Sequence, residues 1–187
     1  MDLETAKSLK TVWPFPLYAD LHSLFLDKDE EGRRSIRTIP RWREWVGAFD
    51  MVQMNEEEFG TLARSPEAAR AEVESLIGAD LKLLAVTLGV EGAEYTSTEG
   101  LCPDPGRWRD DRRADFGGRG ILKGRVPLGN GPFSGDPSGC GDVWGATFLS
   151  RLLAGDRLET AAAEANRRAS RKVGFQGAPG LRHHLSA

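Results

Sequence analysis

The sequence predicts an α/β fold in which a mostly parallel sheet is covered by helices on both faces, a three-layer αβα arrangement. Three observations carry this expectation. Short apolar runs at 17–19, 51–54 and 81–87 alternate with stretches whose apolar positions recur at helical spacing. Each run ends in a polar residue or a glycine turn, as strands do where they hand groups to the carboxyl rim of a sheet. The chain has 187 residues, 40% hydrophobic and 28% charged, which suits a single globular domain. Strands that alternate with helices in this way need crossover connections, and crossovers pair strands in parallel.

Residues 1–10 are charged and amphipathic and lack the apolar core of a signal peptide. Pro14 and Pro16 lead into the first strand, 17–19, which ends at Asp20, and a loop rich in charge follows. From Pro40 onward Trp42, Trp45, Val46 and Phe49 recur at helical spacing, with Pro40 suited to a first helical turn. The second strand, 51–54, ends at Asn55, and 55–63 reads as helix. Ser65 and Pro66 make a cap and first position for another helix, closed by Gly78. Residues 81–87 form the strongest strand signal in the chain. Beyond Gly89, segments 93–98 and 101–103 are separated only by Glu99 and Gly100, which predicts a hairpin at the sheet edge. Residues 104–120 carry Pro, Gly, Arg and Asp in profusion and predict a flexible loop. Two helices end the chain: about 140–154, with Trp144, Phe148 and Leu152 in register, and a second with Leu158, Ala162, Ala165, Ala169 and Val173 in register. Gly155 breaks between them, and Asp156 with Glu159 predicts a capping-box start for the second. No internal repeat is present.

The charge is a small net -3 from 25 basic and 28 acidic residues mixed along the chain, which argues against nucleic acid or an anionic membrane as partner. Small molecules are the expected partners. The most apolar stretches, 81–88 and 143–153, are much shorter than the roughly 20 residues of a membrane-spanning helix. Two cysteines cannot form a disulfide framework, so a reducing cytoplasm is the expected location.

The most informative segment runs from Gly135 to Asp142, glycine-rich and followed directly by an apolar helix. A helix N-terminus presents unpaired amides and a partial positive charge, and glycines let an anion approach those amides. Ser138 is placed to cap the helix. Asp142, inside its first turn, would stand beside the anion, where a carboxylate can take the proton of an attacking hydroxyl. Phosphoryl transfer needs chiefly positioning and charge stabilisation, and such a segment offers a base and an anion cradle together. The plainer reading is a glycine-rich turn with Asp142 favouring the helix dipole.

The segment Asp136-Pro137-Ser138-Gly139-Cys140-Gly141-Asp142 resembles the D-T-x-G-A-G-D signature of the ribokinase-like, or PfkB, carbohydrate kinases. Asn55-Glu56-Glu57-Glu58 resembles that family's N-x-x-E motif, and Val86-Thr87-Leu88-Gly89-Val90-Glu91-Gly92-Ala93 resembles its nucleotide-side strand and turn. The three occur in the family's order, and the resemblance runs from about Leu17 to Gly180. It implies a ribokinase-like fold and transfer of the ATP γ-phosphoryl group to a sugar hydroxyl with magnesium. Asp142 would be the general base, and the amides of Gly139, Cys140 and Gly141 the anion hole. Asn55 and Glu58 would organise Mg2+ and phosphate through water. Thr87, Gly89 and Gly92 would line the nucleotide, and Asn166 would approach adenine. Asp136 matches a position that in some members helps bind a monovalent cation, K+.

A full family member also has a long N-terminal half with the sugar-binding residues, the lid strands and a first glycine-rich signature, none of which is found before Asp20. The expected fold therefore has its N-terminal part and lid missing, and the chain alone should leave an apolar sheet edge or face uncovered. Expected partners are ATP and a small sugar or sugar-like alcohol, with a homo-oligomer or a separately encoded N-terminal half to complete the assembly. The alternative is an inactive or incomplete remnant serving as a nucleotide-binding or assembly module.

Competing constellations are thin. Cys140 at a helix start would gain reactivity there, yet nothing in the spacing of His22, His183 and His184 brings a histidine to it. Two cysteines and three histidines do not make zinc-site spacing. Arg107, Arg109, Arg112 and Arg113 with Trp108 could touch RNA, but Asp110, Asp111 and Asp115 cancel most of that charge, so a solvated loop is expected. No G-x-x-x-x-G-K-[ST] run exists, which excludes a P-loop site.

Overall fold

In the computed structural model, which describes residues 1–78, 80–102, 104–108, 120–129 and 135–186, α1 (Leu3–Val12) opens the chain. The Asp2 carboxylate caps it by accepting from the Thr5 amide at 2.8 Å. Pro14 and Pro16 then hold the chain extended into β1 (Tyr18–Asp20). After one turn of helix, α2 (His22–Phe25), the stretch expected to be a charged loop instead forms an antiparallel pair, β2 (Leu26–Lys28) and β3 (Arg34–Ile36). Its turn is made by Asp29, which accepts from both the amide and the side chain of Arg33. Every residue of β3 is exposed, so apolar periodicity gave no sign of this pair.

The sequence between is close to its expected form: α3 (Trp42–Gly47), β4 (Met51–Asn55), α4 (Glu56–Gly60), α5 (Pro66–Glu74) and β5 (Leu83–Thr87). Ser65 caps α5 through the Ala68 amide, with Pro66 at its first position. β1, β4 and β5 pair in parallel, Tyr18 opposite Met51 and Asn55 opposite Thr87. β6 (Ala93–Thr98) and β7 (Ile121–Val126) add antiparallel to give the order β1-β4-β5-β6-β7.

The partner of β6 corrects the expected hairpin. Leu101 and Cys102 lie in no strand, Pro103 is outside the described residues, and β7 supplies the pairing from beyond the loop. Gly124 of β7 makes this possible, because a Cβ there would overlap the Tyr95 ring opposite it. Of the expected flexible loop 104–120, residues 109–119 lie outside the described residues. Its beginning is structured: Pro105–Arg107 form a 3-10 turn, and Trp108 is 1% exposed, its indole N–H donating to the Cys102 carbonyl at 2.7 Å. Trp108 therefore belongs to the core and not to a solvated face.

Alternate residues of the central strands feed two cores. Val52, Met54, Leu84 and Val86 face one side, where they meet Phe25, Val46, Phe59 and Val73 of the flanking helices. Met51, Leu83 and Ala85 face the other, against α6 (Cys140–Leu153) and α7 (Leu158–Val173) through Trp144, Phe148, Leu152 and the alanines at 161, 162 and 165. Both faces of the sheet are covered at its centre, which is why β4 and β5 read as mostly apolar runs. Asp156 does not cap α7: its carboxylate accepts from the Arg151 guanidinium at 2.6 Å, and Arg157 holds the cap position without a side-chain bond. A third short helix, α8 (Leu181–Ser186), follows the two that the sequence predicts. Among the described residues no helix is long and apolar enough to cross a membrane.

At the other margin of the sheet β1 is the terminal strand. Val12, Trp13 and Phe15, in the segment leading into it, are 75%, 48% and 60% exposed.

Candidate functional site

The carboxyl ends of β1, β4 and β5 and the beginning of α6 enclose a cleft of about 600 Å³. Asp20, Asn55 and Thr87 end their strands on this rim, and Gly89 follows in the turn after β5. Pro137, Ser138, Gly139, Gly141 and Asp142 line the opposite wall. The structure thus brings Asn55, Glu58, Thr87, Gly89, Gly139, Gly141 and Asp142 together around one cleft.

The start of α6 depends on glycine. Gly139 holds the cap position at φ 78, a left-handed conformation that other residues adopt at a cost. Ser138 is not the cap: its amide donates to the Asp136 carboxylate at 2.9 Å in the turn ahead of the helix. The Cys140 amide donates to the Pro137 carbonyl at 3.0 Å, whereas the amides of Gly139, Gly141 and Asp142 have no acceptor among the described residues. Cys140 turns its Sγ toward the Ala169 carbonyl, 3.5 Å away, and burial pushes its thiol up, the opposite of an activated nucleophile.

Gln53 joins the two walls. Its side chain, 2% exposed, donates to the Asp20 carboxylate at 3.2 Å and to the Gly141 carbonyl at 3.0 Å, and accepts from the Tyr18 hydroxyl at 2.9 Å. Gly141 and Gly145 form the face of α6 that meets this cluster, and a Cβ on Gly145 would overlap the Tyr18 hydroxyl. Burial raises the Asp20 carboxyl; its bond from the His22 amide opposes this, and the Glu58 and Asp142 charges reinforce it. Burial likewise pushes the Tyr18 phenol up.

Asn55 and Glu58 form a reciprocal capping box. The Asn55 side chain accepts from the Glu58 amide at 2.9 Å, and the Glu58 carboxylate accepts from the Asn55 amide at 2.8 Å. The other Glu58 oxygen meets His22 Nδ1 at 2.5 Å. Asp20, Asn55, Glu58 and Asp142 present oxygen atoms to the cleft, but among the described residues no group of three or more His, Cys, Asp or Glu is placed to hold a metal ion directly, and Glu58, with both oxygens hydrogen-bonded, would reach a hard cation only through water.

Gly92 and Asn166 stand apart from the cleft. A Cβ on Gly92 would overlap the Val126 carbonyl, so this glycine lets the end of β7 pass close by. Asn166, 1% exposed, donates to the carbonyls of Val126 and Pro127 and accepts from the Trp144 indole at 2.7 Å. Both secure the exit of β7. Asp136 also lies outside the lining, its amide bonded to the Val173 carbonyl at 2.9 Å.

Two residues that line the cleft, His22 and Gln53, and the buried Lys172 behind Gly139 were not marked by the sequence. His22 is two residues past a strand end, a position that could have marked it. Gln53 sits in an apolar run and Lys172 in a helix tail, and each looked like ordinary core or surface.

No protein-family model matches the chain, and no curated protein matches it. Solved structures do. A ribokinase from Thermotoga maritima superposes with a TM-score of 0.64 at 18% identity, over 98% of this chain and 52% of that one. A pyrophosphate-dependent kinase described as of the ribokinase family gives a TM-score of 0.68 at 17% identity, over 100% of this chain and 56% of that one. A nucleoside kinase from Burkholderia thailandensis gives 0.61 at 19% identity, over 94% and 45%. The chain spans about half the length of these proteins, and over that half it has the ribokinase-like three-layer αβα fold.

Proposed function

We propose that the cleft is the phosphoryl-transfer half of a carbohydrate-kinase site, taking the γ-phosphoryl group of ATP, with magnesium, to a hydroxyl of a sugar or sugar-like alcohol. The observation that supports it most is the pairing of free amides with an exposed carboxylate at one helix start: Gly139, Gly141 and Asp142 on the wall facing three strand ends. The amides would hold the transferring group as its charge builds. Asp142, exposed to the cleft, would accept the proton of the attacking hydroxyl. Magnesium, when bound, would neutralise phosphate charge, with Asn55 and Glu58 holding its water.

Calorimetry with ATP and magnesium tests the donor side, and a coupled assay over sugars and nucleosides tests the acceptor side. Asp142→Asn should lower turnover by at least a hundredfold while leaving ATP affinity within about twofold. Unchanged turnover would remove Asp142 as base. The second reading is a nucleotide-binding or assembly module without turnover. ATP binding with no acceptor phosphorylated would support that reading; no binding at all would remove both.

A further inference from the structure

The segment before α6 is packed against the end of α7. The Asp136 amide donates to the Val173 carbonyl at 2.9 Å, and a Cβ on Gly135 would overlap that carbonyl. Within this seam lies Lys172. It is 3% exposed, its ammonium donates to the Phe175 carbonyl at 2.7 Å, and its Cε lies 3.8 Å from where a Cβ of Gly139 would stand. No carboxylate forms a salt bridge with it among the described residues. Its charge nevertheless reaches Asp136, whose carboxyl is held low first by the Ser138 bonds and further by Lys172.

A monovalent metal ion at Asp136 fits this seam poorly. The Phe175 carbonyl already receives the Lys172 ammonium, and the Asp136 carboxylate is turned to the Ser138 amide. A second cation placed here would face a buried positive charge at close range.

We propose that the Lys172 ammonium is a tethered monovalent cation: it holds residues 135–139 on the end of α7 and sets a fixed positive charge beneath the anion-binding amides of α6, so that this site needs no added potassium. The second half of this rests on the phosphate-binding reading of the cleft; the first half does not. A lysine costs nothing to recruit from solution and cannot dissociate, but it is removed by one substitution.

The test compares potassium with tetramethylammonium at equal ionic strength, using the full chain. In the unaltered protein, amide hydrogen exchange across 136–141 and the affinity for inorganic pyrophosphate should agree within about twofold in the two salts. Potassium-specific slowing of exchange by tenfold or more would overturn the proposal without recourse to any variant. Lys172→Ser should exchange at least tenfold faster across 136–141 in tetramethylammonium and recover in potassium, as an ion enters the vacated space. Equal exchange in Lys172→Ser and the unaltered chain would also overturn it. If exchange behaves as expected and pyrophosphate binds in neither salt, the tether stands and the phosphate reading of the cleft fails.

Discussion

Gly145 of α6 lies so close to the Tyr18 hydroxyl that any Cβ at this position would overlap it, and its bare backbone also leaves room for the Gln53 carboxamide. The candidate anion site is carried by this helix, so its approach to the sheet decides where the free amides point. Gly145→Ala should cost about 1–3 kcal/mol in denaturant unfolding, as overpacked cores do. Adding Tyr18→Phe should return a good part of that loss. A cost below about 0.5 kcal/mol for the single change would show that the helix shifts freely.

Gln53 is the only side chain described that touches Tyr18, Asp20 and Gly141 together. Gln53→Leu keeps much of the volume and leaves those groups without their partner. A loss of about 2–4 kcal/mol is expected in urea unfolding, and a loss under about 1 kcal/mol would mean that water replaces the amide.

Asn166 should behave as a structural clamp. Asn166→Leu strands the Trp144 indole N–H and two carbonyls, and the melting transition should report a loss of about 2–4 kcal/mol. Full stability with weakened ATP binding would instead place the side chain at the nucleotide.

Asp20 gives a pH signature with a definite sign. Its folded carboxyl is raised above the ordinary 3.8, so the folded state binds more proton through the window above that value. Stability from this group is present at low pH and is lost as pH rises through the raised value. Asp20→Asn should therefore melt higher than the unaltered chain at pH 7, and the gap should close below about pH 3.8. A variant that melts lower at pH 7 would show that the charge is stabilised where it sits.

Much of the fold was legible because the central strands are buried on both faces and so appear as plain apolar runs. The rim was legible for the same reason, since Asp20, Asn55 and Thr87 interrupt those runs where they end. β7 was not. Its residues are all half-buried or exposed, include Gly124 between the charges of Lys123 and Arg125, and find their place only through β6. The contacts of Asn166 and Gly92 with the exit of β7 were hidden with it, because local patterning did not reveal that strand. Gln53 and Lys172 were hidden differently: a polar group on a buried face is informative only once its partners across the sheet or helix are known.

The terminal position of β1 has a consequence in solution. A strand with one flank unpaired offers its peptide groups to water or to another chain, and here the residues leading into it add bare tryptophan and phenylalanine rings. Association along that flank is then expected to rise with the concentration of the chain, and sedimentation over a dilution series would report it.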